Sequence, residues 1–230
     1  MNELINPNKV VVFTGPELTQ DCGTPNHRTH TPNGKHRLAN YPYSPYAWQQ
    51  SPAQVIATYN ELKQYILAVE PNESYLAIAQ LEHQYDVTVI TQNIDDLHER
   101  SGSTDVRHLH GDITQAMSPT DQKLLIDIGY NYLSFNSNST EQLRPNIVSY
   151  GERTYWQAEA RSLISSASIV LAIGVSFDLL PTIHLLRNAS IYSERYLLST
   201  KGYSRLLQGY QKIREPFSES VPRIIVGLTR

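Results

Sequence analysis

The stretch "KVVVFTGPELTQDCGTPNHR", residues 9–28, begins with an apolar, β-branched run and breaks at Gly15 into a polar loop. A run of that kind, bounded by a turn signal, reads as a buried strand. A glycine straight after such a strand lets backbone N–H groups approach a phosphate with no side chain between them. Here Gly15 is followed by Pro16, which has no N–H, and by Glu17, which carries negative charge. Three further runs share the apolar character: "DVTVIT" (86–91), "SIVLAIG" (168–174) and "PRIIVGL" (222–228), with "RYLLS" (195–199) a weaker case. Helix-like segments separate them. In residues 51–70, Ser51 can cap, Pro52 fits the first turn, and Val55, Ile56, Tyr59, Leu62 and Ile66 recur at helical spacing. Residues 72–84, 154–165 and 178–189 also read as helical. This alternation predicts an α/β fold with a doubly wound parallel sheet. In such a fold, ligands sit outside the C-terminal ends of the strands. Residues 26–50 read as a long loop and residues 113–142 as a polar excursion, expected to be packed by Leu124, Leu125, Ile126 and Ile128.

At 230 residues the chain fits one large domain, or one domain with a small insertion. A net charge of −3 gives no electrostatic argument for nucleic acid or an anionic membrane as partner. The single cysteine, Cys22, excludes an internal disulfide and a cysteine-based zinc site. The N-terminus lacks a basic region followed by an apolar one, and no apolar stretch is long enough to span a bilayer. The expectation is a cytoplasmic protein.

The chemistry concentrates in "VITQNIDDLHERSGSTDVRHLHGDI", residues 89–113. A strand ending at Thr91 delivers Gln92, Asn93 and Asp95 at its carboxyl end, and a second short approach ends in His110-Gly111. Carboxamides and a carboxylate can orient ribose hydroxyls or an amide ligand, and a histidine can take a proton from a hydroxyl. The same residues also suit an Asx-turn at Asn93 and Asp95 and a loop histidine at position 110.

The segment closely resembles the sirtuin signature TQNxDxLHxxAG…V…HG, and is especially similar to bacterial desuccinylase-like members. "VVFTGPELTQDCGTPNHR" resembles VVxTGAGxSxxSGIPxFR, "LRPNIVSYGE" (143–152) resembles LRPxVVxFGE, and "LAIGVSFDLLP" (171–181) resembles GTSxxVxP. The four blocks stand in the family's order across nearly the whole chain. The resemblance implies a Rossmann-like NAD-binding domain (1–35, 70–112 and 143–230) with a small inserted, mostly helical domain (36–69 and 113–142). It implies cleavage of the nicotinamide–ribose bond of NAD and transfer of an acyl group from lysine to ADP-ribose. His110 matches the general base, and Asn93 the residue that orients the ribose or a water. Asp95 matches the residue that binds the nicotinamide amide, and Gln92 one that lines the ribose. Gly15, Thr19, Gly174 and Ser176 correspond to residues near the phosphates, and Arg28 ends the cofactor loop. Val148, Tyr150, Gly151 and Glu152 lie on the segment that pairs with an acylated-lysine peptide by strand addition.

The pattern is broken in several places. Gly-Ala-Gly has become Gly15-Pro16-Glu17, which removes one N–H and puts a carboxylate near a pyrophosphate. Two such charges a few Å apart repel by about 2–4 kcal/mol, so weakened NAD binding is expected. His27 stands for the family's phenylalanine and Val175 for a threonine. The two CxxC pairs of the family's zinc ribbon are missing, so no zinc is expected. Tyr59 fits the tyrosine that reads acidic acyl groups, but Leu62 stands where its arginine partner would be, so little desuccinylase preference is expected. Three functions remain open on these residues: a deacylase, an NAD glycohydrolase or ADP-ribosyltransferase, and a non-catalytic binding protein that keeps the fold.

Overall fold

A computed structural model describes residues 5–23, 44–118, 121, 124–137, 141–149, 151–178 and 181–229. In chain order the elements begin β1 (Asn6–Thr14), α1 (Pro16–Asp21), α2 (Pro45–Gln50), α3 (Pro52–Leu67) and α4 (Glu73–Gln80). They continue β2 (Asp86–Thr91), α5 (Leu97–Arg100), β3 (Val106–His108), β4 (Gly111–Met117), β5 (Leu125–Asp127) and β6 (Arg144–Ile147). The last third holds α6 (Gln157–Ser166), β7 (Ala167–Ile173), α7 (Thr182–Leu186), β8 (Glu194–Leu198), β9 (Gln211–Ile213) and α8 (Phe217–Leu228).

Six strands form a parallel sheet in the order β3-β2-β1-β7-β8-β9. The chain winds from β1 through β2 to β3 on one side and from β7 through β8 to β9 on the other, so the order reverses between β1 and β7. The two-residue period of β1 divides its apolar run between two cores. Val10 and Val12 face Tyr75 and Ile78 of α4 and Phe217, Val221 and Ile225 of α8. Val11 and Phe13 face Ala160 and Ile164 of α6 and Leu185 and Leu186 of α7. Both faces of the sheet are covered, which explains why its inner strands read as continuous apolar runs.

A smaller, antiparallel sheet has the order β5-β4-β6. It packs with α2 and α3 through Ala47, Val55, Tyr59, Leu62, Ile66, Ile113 and Ile147. The helical insertion expected from the sequence is therefore built around a small sheet that the sequence did not reveal.

Two expectations are corrected. Residues 222–228, read as a strand, lie in α8, where Phe217, Val221 and Ile225 recur at four-residue spacing and are buried. The sixth strand is instead the short β9. Leu124, Leu125 and Ile126 do not pack the excursion: they are 53%, 44% and 36% exposed, and Ile128 alone of the four packs against a buried cluster. Part of the expected loop at 26–50 is the helix α2, while residues 24–43 lie outside the described residues.

Candidate functional site

The crevice at a switch point of strand order is where open α/β sheets hold their ligands. Here it opens beyond Thr14 of β1 and Ile173 of β7. The two loops that leave these strands touch. Gly15 N–H donates to Ile173 O at 3.1 Å and Glu17 N–H to Gly174 O at 3.0 Å. A Cβ on Gly15 would lie 2.3 Å from Gln92 Oε1 and 2.6 Å from Val175 Cα, so the approach excludes any side chain there. Gly174, at φ +62, meets the same limit, since its Cβ would lie 2.6 Å from Leu18 N.

The third loop, after β2, carries the chemistry. Gln92 grips the backbone of Ser176, accepting from its N–H at 2.8 Å and donating to its carbonyl at 2.9 Å, and also donates to Thr182 Oγ1. Its carboxamide thus fixes the loop after β7. Asn93 donates from Nδ2 to Gly15 O at 3.3 Å, and its N–H donates to Thr91 Oγ1 at 3.0 Å. Asp95 is buried and accepts from Leu97 N–H and from Thr19 Oγ1 at 3.1 Å. Because Thr19 donates its proton to Asp95, the hydroxyl of Tyr75, 3.0 Å away, donates to Thr19. Burial, partly offset by these donors, raises the Asp95 carboxyl from 3.8 to about 6.

Two buried histidines hold this loop and have no place in the sequence reading. His98 is completely buried, and burial lowers it to about 3, so the ring is neutral. Its Nε2 lies 2.8 Å from Thr14 Oγ1, which donates to Thr91 Oγ1 at 2.9 Å, so Nε2 carries the proton. His108 accommodates Asn93 O on Nδ1 and Glu99 on Nε2, both at 2.9 Å. Burial opposes its charge, but the Glu99 carboxylate outweighs burial and raises it to about 9. His108 is therefore a cation that pins the backbone of Asn93.

His110 is buried directly before β4, and its carbonyl accepts from Val148 N–H at 2.9 Å. Gly111 makes this possible: at φ +90 its Cβ would lie 2.0 Å from Asn146 O. The segment after β6 is thereby attached to the histidine. Within it, Glu152 binds Arg144 in a two-pronged pair at 2.8 and 2.9 Å and accepts from Ser149 N–H, closing the turn that contains Gly151 at φ +88. Tyr59 and Leu62 are buried together on one face of α3, against Ile147. Lys63, next to them, donates to Asn131 O at 2.9 Å, and burial lowers its pKa. Arg28 and Tyr150 lie outside the described residues.

The first loop answers the question its sequence raises. The Glu17 carboxylate turns toward the end of β8 and accepts from Ser199 Oγ, Thr200 N–H and Thr200 Oγ1 at 2.9–3.2 Å. The N–H of Leu18 is taken by Gly15 O, that of Glu17 by Gly174 O, and Pro16 has none. These backbone donors are spent inside the protein. Among the described residues, no three His, Cys, Asp or Glu side chains are grouped to hold a metal ion. No helix among them is long and apolar enough to cross a membrane.

Comparison with known proteins gives a consistent picture. The Sir2 family model matches residues 18–181. An NAD-dependent protein deacylase of Helicobacter pylori is 36% identical over 177 residues, 75% of this chain and 74% of that protein. One from Aggregatibacter actinomycetemcomitans is 34% identical over 189 residues, 82% of this chain and 91% of that protein. Among solved structures, a Sir2 homolog–NAD complex superposes with a TM-score of 0.81 at 22% identity, over 96% of this chain and 89% of that one.

Proposed function

This chain belongs to the Sir2 family, and on that premise we propose that it is an NAD-dependent protein deacylase. The observation that carries the reading is the packing of the loop after β2 on the first glycine loop at the strand-order switch, where Asn93 donates to Gly15 O and the buried Asp95 accepts from Thr19, with the buried His110 standing where β4 begins. Such preorganisation is what a reacting site needs, and a binding surface would not require it.

In this proposal NAD is a co-substrate that supplies the ribose carbon to which the acyl oxygen of lysine bonds as nicotinamide leaves. Asp95, ionised above about pH 6, accepts the N–H of the nicotinamide carboxamide. Asn93 orients the ribose hydroxyls, and His110 takes a proton from one of them. Gly15, Thr19, Gly174 and Ser176 face the phosphate side, with Arg28 assigned to the cofactor loop. Gln92 acts through Ser176 by holding its loop. The substrate is an acylated-lysine protein, whose peptide pairs with Val148, Tyr150 and Gly151 beside the β6 edge, with Glu152 shaping the turn. Tyr59 lies beneath the acyl group. Binding of NAD is weaker than in a Gly-Ala-Gly loop, because the amides after β1 are already paired. A zinc-free small domain and a cytoplasmic location belong to the same proposal, supported by the single cysteine.

The test is the deacylation of an acyl-lysine peptide, followed by mass spectrometry, in wild type and in His110→Ala. The variant should lose activity by about a hundredfold or more while keeping its circular dichroism. Deacylation that survives the substitution would overturn the assignment.

A further inference from the structure

Far from the crevice, at the N-terminal end of β8, lies a cavity of about 330 Å³ on the face of the sheet covered by α6 and α7. Four residues of strand, roughly 13 Å at the usual rise, separate Arg195 on its wall from Ser199 at the crevice end of β8. Three guanidinium groups line it, those of Arg187, Arg195 and Arg205, and no acidic residue does. None of the three forms an ion pair with an acid among the described residues.

Arg195 is partly buried and held in place by its neighbours. Its guanidinium lies 5.8 Å from the centre of the Tyr210 ring. Gly209, at φ +78, leaves the room it occupies: a Cβ there would come within 2.6 Å of Arg195 Nη2. Tyr210 is itself anchored by its hydroxyl, which donates to Leu186 O at 2.8 Å. The Nε of Arg195 is buried and has no hydrogen-bond partner. A buried donor of this kind, on a charged group, is costly and calls for an acceptor. Arg187 and Arg205 line the same cavity from its exposed rim, so an anion entering it meets three arginines.

We propose that this cavity is a binding site for a small multivalent anion bearing phosphate groups, separate from the NAD crevice. Guanidinium groups match phosphate oxygens in pairs, and a planar Arg195 held against Tyr210 loses little freedom on binding. The volume stands at the lower end of small-molecule sites, so the ligand is a phosphorylated metabolite or inorganic polyphosphate rather than a dinucleotide. The site joins the α7–β8 and β8–β9 connections, so occupancy stiffens that edge of the sheet.

The experiment is a thermal-unfolding titration of the full chain with inorganic pyrophosphate, with ionic strength held constant by sodium chloride and acetate as a monovalent control. Wild type should show a saturable rise in Tm of about 2–4 °C with pyrophosphate and none with acetate. Arg187 and Arg205 are exposed, so Arg187→Ser/Arg205→Ser should fold normally and weaken pyrophosphate binding at least tenfold. The same titration with ribose 5-phosphate separates the two sources: a comparable shift identifies a phosphorylated metabolite, and a shift with pyrophosphate alone identifies polyphosphate. No saturable shift would overturn the proposal. So would a shift unchanged in the double variant, because that binding would belong to the crevice.

Discussion

Asp95 and Glu17 show how differently two carboxylates at one sheet edge can be used. Asp95 is held in a dry place with one hydroxyl and one amide as donors, and its pKa rises from 3.8 to about 6. A raised folded-state value means that its contribution to stability is complete below about 3.8 and is lost as pH rises through about 6. Relative to Asp95→Asn, wild type should therefore lose on the order of 2–3 kcal/mol of unfolding free energy between pH 4 and pH 7. Urea unfolding of both proteins at the two pH values measures this, and parallel curves would contradict the buried-charge account. Glu17 is spent on Ser199 and Thr200, and charge-assisted bonds of this sort contribute about 1.5–3 kcal/mol each when buried. Restoring the family loop with Pro16→Ala/Glu17→Gly should lower Tm by several degrees and tighten NAD binding about tenfold or more, read by calorimetry. Stable protein with unchanged NAD affinity would show that this loop is not what limits binding. The sequence made Glu17 visible as an oddity, but it could not reveal the direction of the side chain. That direction depends on Ser199 and Thr200, more than 180 residues away.

The loop from Gln92 to Arg100 is an element held from outside. His108, charged because Glu99 outweighs its burial, fixes the Asn93 carbonyl. With a folded value of about 9 against 6.5 when unfolded, its stabilisation is complete below 6.5 and is lost as pH rises through 9. Glu99→Gln should remove most of this alkaline loss, and thermal melts from pH 6 to 10 would show a flatter profile than wild type. A profile as steep as wild type would put the alkaline limit elsewhere. The contact between β4 and β6 depends on Gly111, whose Cβ would overlap Asn146 O. Gly111→Ala should cost about 2–4 kcal/mol and abolish deacylation by displacing His110. Long elements were legible because their period is long enough to read: α3 matches its expected range closely, and β1 contains its expected run 9–13 within a longer strand. β3, β5 and β9 have three residues each, too few for alternation to emerge. The apolar "RIIV" of α8 imitated a strand because Ile224 and Ile225 follow Pro222, although Phe217 and Val221 upstream carried the helical spacing.

Over the whole molecule, two glycine loops and a carboxamide loop meet beyond β1 and β7, where the strand order reverses. The loops themselves were legible from Gly15, Asn93 and Gly174, each following an apolar run. Their support was not, since His98, His108, Tyr75 and Thr14 act through tertiary contacts that no local spacing encodes. The second group of arginines was equally hidden, because Arg187, Arg195 and Arg205 come to one cavity only after the α7–β8 and β8–β9 connections are folded. The reading of the molecule as a deacylase rests on coupling between the two halves of its crevice, NAD on one side and acyl-lysine on the other. The most direct test is the ratio of nicotinamide released to acyl-lysine consumed, measured by chromatography with a saturating acylated peptide. The account predicts one nicotinamide for each acyl group removed and negligible release without peptide. Nicotinamide released at the same rate without peptide, or no release with it, would contradict the account.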